Sequence, residues 1–174
     1  ALAAGGGVPS PTAASEEWSS TQPVGAWATG ASINTARRSM GASGTYTSAL
    51  SFGGYNGSAQ VNNTEKYNGT SWTEVNDLNR TKSLNVGIGH ATDNEAALSV
   101  GGYSAPASPS ELVDTESWNG TSWTEIADIT TKRYLPGGAG TQTAALIYGG
   151  NPPVTGKTES WNGSAWTEVS DLNT

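Results

Sequence analysis

An all-β repeat fold is the class this sequence predicts, and three observations predict it. A hairpin phrase, Glu65-Lys66-Tyr67-Asn68-Gly69-Thr70-Ser71-Trp72-Thr73-Glu74-Val75, returns as Glu116-Ser117-Trp118-Asn119-Gly120-Thr121-Ser122-Trp123-Thr124-Glu125-Ile126. It returns again as Glu159-Ser160-Trp161-Asn162-Gly163-Ser164-Ala165-Trp166-Thr167-Glu168-Val169, and a degraded copy runs from Glu17-Trp18 to Trp27. A second phrase, Ala-Leu-x-x-Gly-Gly, begins at Ala1, Ala49, Ala97 and Ala145, every 48 residues. Third, tryptophans fall at matched positions within apolar alternations, as in half-buried strands, which disordered chains of similar Gly/Ser/Thr content do not show.

The strands follow in order. One full unit places strand A at 38–43, B at 48–54, C at 63–67 and D at 71–75. The next places them at 83–89, 96–102, 113–118 and 122–126, and the last at 133–139, 143–150, 158–161 and 165–169. The aromatic that closes strand C recurs less evenly than the glycine phrase: Trp18, Tyr67, Trp118 and Trp161 are 49, 51 and 43 apart. Strands are therefore kept while loops vary. A four-stranded meander cannot bury its faces alone, and a period near 50 residues with four strands is that of a propeller blade. The expected units are a partial blade over 1–35 and blades over 36–79, 80–131 and 132–174. Because the run opens at strand B, four B, C and D strands meet only three A strands. The expectation is one propeller domain or a segment of one, in a longer chain or a homo-oligomer.

Composition narrows the function classes. A formal charge of −7 and the absence of a basic stripe argue against phosphate-backbone binding, so no nucleic-acid partner is expected. Cysteine is absent, which removes disulfides and thiolate chemistry. No apolar run reaches the roughly 20 residues of a membrane-spanning helix, so no membrane insertion is expected.

A strand ending in Gly-Gly, an aromatic closing strand C, a Trp opening strand D and a basic residue before strand A resemble the kelch motif. The basic positions are Arg37-Arg38, Arg80 with Lys82, and Lys132-Arg133. The resemblance covers the whole chain and implies a kelch-like β-propeller. More narrowly, Glu-Ser-Trp-Asn-Gly-Thr-Ser-Trp-Thr-Glu, Asp-Leu-Asn-Thr and Gly-Ala-Gly-Thr-Gln-Thr-Ala-Ala-Leu look like repeats in virion proteins of tailed phages of marine bacteria. That likeness implies a tail-fibre-type appendage, with a virion or extracellular location and other virion proteins as partners.

Site chemistry is sparse. Trp72, Trp123 and Trp166, with Tyr67, Trp118, Trp161 and Trp18, repeat in every unit and read as packing between sheets. The Asn-Gly pairs read as tight hairpin turns rather than glycan acceptors, and the Gly-Gly pairs as strand ends. The turns faintly resemble sialidase Asp-box turns but lack the Asp. The basic residues before strand A read as ligands of backbone carbonyls in a neighbouring blade. Glu74, Glu125 and Glu168 repeat on strand D and read as scaffold. His90, the only histidine, has Asp93 and Glu95 nearby but not the three or four ligands of a zinc site, and kelch-type copper oxidases need Cys ligands. No catalytic residue, metal or cofactor is expected.

Variation concentrates in the B–C connections 7–14, 55–61, 103–112 and 151–157. In a propeller these share a face with the D–A connections, and variable loops on rigid sheets carry contact. The candidate ligand-binding residues are Tyr55, Asn56, Arg80, Tyr103, Lys132 and Lys157. The expected ligand is a host-surface glycan or protein; the alternative is an architectural spacer or decoration.

Overall fold

The computed structural model describes residues 2–5, 10–19, 26–89, 94–106 and 109–173; the side chains of 2–3, 17–19 and 26–28 lie outside that description. It contains strands and no helix among the described residues. Strands β1 (Leu2–Ala4), β2 (Ser15–Ser19) and β3 (Ala26–Thr29) form a three-stranded sheet. Three four-stranded antiparallel meanders follow. The first joins β4 (Gly41–Thr45), β5 (Ser48–Phe52), β6 (Thr64–Tyr67) and β7 (Trp72–Val75). The second joins β8 (Val86–Gly89), β9 (Ala97–Val100), β10 (Thr115–Trp118) and β11 (Trp123–Ile126). The third joins β12 (Gly137–Gly140), β13 (Ala145–Tyr148), β14 (Thr158–Trp161) and β15 (Trp166–Val169).

The sheets stack like propeller blades, and the repeated aromatics make the stacking. Register sets Tyr67 opposite Trp72, Trp118 opposite Trp123 and Trp161 opposite Trp166. Each pair packs against the sheet before it. Leu50, Phe52 and Leu78 meet Ala97, Trp118 and Trp123, with the Phe52 and Trp123 rings edge-on at 4.7 Å. Leu98, Val100 and Ile129 likewise meet Ala145, Ile147, Trp161 and Trp166. Each four-stranded sheet thus offers an Ala–aromatic–Trp face backwards and a mainly aliphatic face forwards. Trp18 lies opposite Trp27 in backbone register, but its packing falls outside the described side chains.

Strands β4, β8 and β12 lie side by side in the middle of the stack. Their approach is so close that a Cβ on Gly87 would sit 2.2 Å from the Ala42 carbonyl oxygen. Small residues on these strands are a packing requirement. Gly87→Ala is expected to cost about 1–3 kcal/mol by overpacking, read as a lowered urea midpoint.

Three local expectations need correction. The first strand of each meander begins at Gly41, Val86 and Gly137 rather than at 38, 83 and 133. The cause is a left-handed residue just before each: Ser39, Leu84 and Leu135 have φ of 58°, 59° and 53°. An extended strand cannot run through that conformation. The Asn-Gly turns are four-residue loops, since Tyr67 pairs with Trp72 across residues 68–71. The Asn68 side-chain oxygen accepts the Thr70 and Ser71 N–H groups, and only the glycine takes positive φ. Asn119 and Asn162 repeat this arrangement. Finally, the described side-chain partners of the basic residues before strand A lie in their own sheet, and only the backbones of Lys82 and Arg133 bond to the preceding one.

Candidate recognition surface

The scaffold beneath the site is a set of buried ion pairs. Glu65, Glu116 and Glu159, on the third strand of each meander, are fully enclosed. Arg37 pairs with Glu65, Lys82 with Asp114 and Glu116, and Arg133 with Glu159 at 2.6 Å. Arg133 also donates to the carbonyls of Thr131, Gly149 and Lys157. Each glutamate then accepts N–H groups from the incoming linker: Asn34 for Glu65, Asn79 for Glu116, and Thr130 with Thr131 for Glu159. A buried carboxylate without such donors would be costly; here the linker is tied down by satisfying it. Glu74, Glu125 and Glu168, expected to be scaffold, stand exposed on the outer strands. The structural carboxylates are the other repeated set. Their signal was a carboxylate two residues before the aromatic that closes the third strand of each unit.

Directly after each buried cation the chain makes the same three-step move. Arg38 exchanges two backbone hydrogen bonds with Tyr55, Ser83 with Tyr103, and Tyr134 with Asn151. The next residue, Ser39, Leu84 or Leu135, turns left-handed. The Leu84 N–H donates to the Ser39 carbonyl and the Leu135 N–H to the Leu84 carbonyl, both at 2.8 Å. A hydrogen-bonded rim therefore runs from sheet to sheet. Positive φ is uncommon for non-glycine residues, and such strain concentrates at ligand sites and switches.

Along this rim lies an open cleft of about 460 Å³, lined by Arg38, Ser39, Tyr55, Gln60, Leu84 and Tyr103 among others. The Arg38 guanidinium stands 5.3 Å from the Tyr55 ring centroid. Tyr103 meets Tyr134 edge-on at 5.7 Å, and Leu135 beside it is 58% exposed. Aromatic faces, an amide, hydroxyls and a guanidinium on a rigid rim suit a polar ligand with apolar faces.

Of the residues expected to bind, Tyr55 and Tyr103 are brought together in this cleft. Asn56 shapes its loop instead, its side-chain oxygen accepting the Ser58 and Ala59 N–H groups. Arg80 lies 3.7 Å from Asp114, and Lys132 3.0 Å from Glu111. The Lys132 hydrogen bond holds the Glu111 carboxyl below its usual value. Lys157 pairs with Glu168 at 2.7 Å, which raises the lysine's value. Each of these three cations is accessible to solvent and stands against a carboxylate. Gln60, Tyr134 and the left-handed leucines were not singled out from sequence, and Arg38 was read there only as one of the basic residues before strand A. Their one signal was position, two residues after each buried cation for the left-handed set. His90 and Asp93 lie outside the described residues, and Glu95 accepts from Lys66 at 2.6 Å. Among the described residues no group of three or more His, Cys, Asp or Glu side chains is placed to hold a metal ion.

No family model matches the sequence, and no curated protein matches it. Among solved structures, the chain is similar to one titled "Structure of YjhT", with a TM-score of 0.74 and 13% sequence identity. The match covers 93% of this chain and 60% of that one, so the chain spans less than two thirds of that structure. At this identity the likeness shows the fold alone.

Proposed function

We propose that this chain forms part of a kelch-like β-propeller acting as a non-catalytic recognition module of a tailed-phage virion appendage, which engages a host-surface glycan or protein. The carrying observation is the rim cleft, where Tyr55 and Tyr103 stand beside Ser39 and Leu84, both held in a left-handed conformation. Leu135 is exposed and Leu84 half-buried in this strained conformation, and a ligand covering them would remove their remaining apolar surface from water. The glycine-paired strands, repeated aromatics and buried cations support the kelch comparison, and the phage repeats support the setting.

Tyr103→Ala is expected to abolish measurable attachment to host cells or their surface polysaccharide while leaving the melting transition nearly unchanged. Stacking contributes about 0.5–1.5 kcal/mol per aromatic contact beyond area burial, and several such contacts share the cleft. Attachment equal to wild type would sink the recognition reading.

A second reading, an architectural spacer or decoration, is favoured by one observation. Leu146, Val169 and Leu172 leave the forward face of the last sheet apolar and exposed. Coverage of that face by another virion chain would support it.

A further inference from the structure

The sequence has eight lysines and arginines against fifteen carboxylates. Seven of the eight cations stand within 4 Å of a carboxylate: Arg37, Lys82 and Arg133 in the interior, and Lys66, Arg80, Lys132 and Lys157 at the surface. Arg38 is the exception among the described residues. It is exposed, and its described contact is the Tyr55 ring rather than an acid. In a chain with nearly twice as many acids as bases, an arginine without a carboxylate partner among the described residues stands out. That arginine sits in the rim cleft, flanked by Tyr55, Gln60 and Tyr103.

Resting on the recognition reading above, we infer that the cleft selects a saccharide bearing an isolated carboxylate, with Arg38 as its ligand and Tyr55 and Tyr103 as stacking faces. A guanidinium presents paired N–H donors that match the two oxygens of a carboxylate. The Tyr55 ring orients the guanidinium and leaves its edge for the ligand. The overall charge of −7 works against a densely charged polyanion lying along the face. It tolerates a single acidic group placed against the one cation that has no carboxylate partner among the described residues. The surrounding groups, Gln60, Ser39 and Ser83, are neutral hydrogen-bonding partners suited to hydroxyls.

The test is calorimetric titration of the full chain with three oligosaccharides of equal length: all neutral hexoses, one with a single hexuronic acid, and one with a single sulfated hexose. The uronate probe is expected to bind about tenfold or more tightly than the neutral one, the scale of one charge-assisted hydrogen bond. Its affinity should fall as salt rises. Arg38→Gln should remove that preference, and Arg38→Lys should restore part of it. Because Arg38 is exposed, these variants should melt as the wild type does. Equal affinity for neutral and uronate probes, or full uronate affinity in Arg38→Gln, overturns the inference while neutral binding upholds recognition. Tighter binding of the sulfated probe overturns the carboxylate assignment. Absence of binding to all three overturns the inference, and persistence of host attachment under those conditions shows that the recognition reading survives without it.

Discussion

Replacing Glu65 by alanine is expected to cost about 3–5 kcal/mol of folding stability, measured as the loss of unfolding free energy in urea. The change strands Arg37, whose side chain is wholly buried with Glu65 as its only carboxylate partner. It also removes the acceptor for the Asn34 backbone and amide N–H groups at 2.6 and 2.8 Å, and for the Thr35 N–H. Several donors are thereby left in a site that water enters poorly, and an unpaired buried charge is the costliest of them. Glu74, nine residues on and exposed, serves as the contrast. It holds one hydrogen bond, from Asn63, and its replacement by alanine should fall within about 0.5 kcal/mol. Replacing both members together, Arg37→Met with Glu65→Leu, should recover much of the loss, because two matched apolar side chains leave no stranded charge. A double replacement as damaging as Glu65→Ala would show that the linker's hydrogen bonds, not the ion pair, hold this region.

The same residues explain what the sequence made legible and what it hid. Repetition exposed the strands, because packing between sheets demands Tyr67, Trp118 and Trp161 at one place in every unit, and period-two alternation marks the face they occupy. Repetition also exposed the cations Arg37, Lys82 and Arg133, but not their direction. A buried charge is recognised only through its partner, and Glu65 and Glu74 look alike in a chain read as text. Backbone conformation was hidden for a different reason. Nothing in Ser39, Leu84 or Leu135 announces positive φ, since glycine or asparagine is the usual signal. Tertiary hydrogen bonds from sheet to sheet impose that conformation, and local preference does not. Of the candidate residues, two tyrosines and three basic residues were chosen alike for their place on the variable loop face. The acids near the basic residues come from other strands, so charge compensation was invisible until the sheets were paired.

That distinction bears on function. The buried pairs fix where each linker enters its sheet, and the linker's next residues form the rim. The cleft is therefore carried by the most rigid part of each unit while its chemistry comes from the most variable connections. Tyr55, Tyr103 and Asn151 occupy one backbone position in successive sheets, as do Arg38, Ser83 and Tyr134. Such a design changes ligand contacts without disturbing stacking, because the side chains that differ are not those that fill the core.

Leu98→Ala is expected to destabilise the chain by about 2–5 kcal/mol, and Leu146→Ala by less than about 1 kcal/mol, although the two leucines hold the same position in adjacent sheets. Leu50 and Leu98 are 0% exposed and Leu146 is 42% exposed. The difference lies in what stands in front. Leu98 faces Ala145, Trp161 and Trp166 of the following sheet, so its truncation opens a cavity between two packed layers that relax only partly. Leu146 faces a groove lined by Ala139, Ala144 and Trp161. Removing its branch there deletes area already in contact with water. Leu78, Ile129 and Leu172 form a parallel series at 1%, 3% and 48% exposure, so the pattern belongs to the whole face. Urea titration of the chain alone reads the first difference. Repeating it for any assembled form of the chain reads what covers the face. A Leu146→Ala cost that stays small there leaves the forward face bare, and a rise toward the Leu98 value means another layer has been stacked upon it.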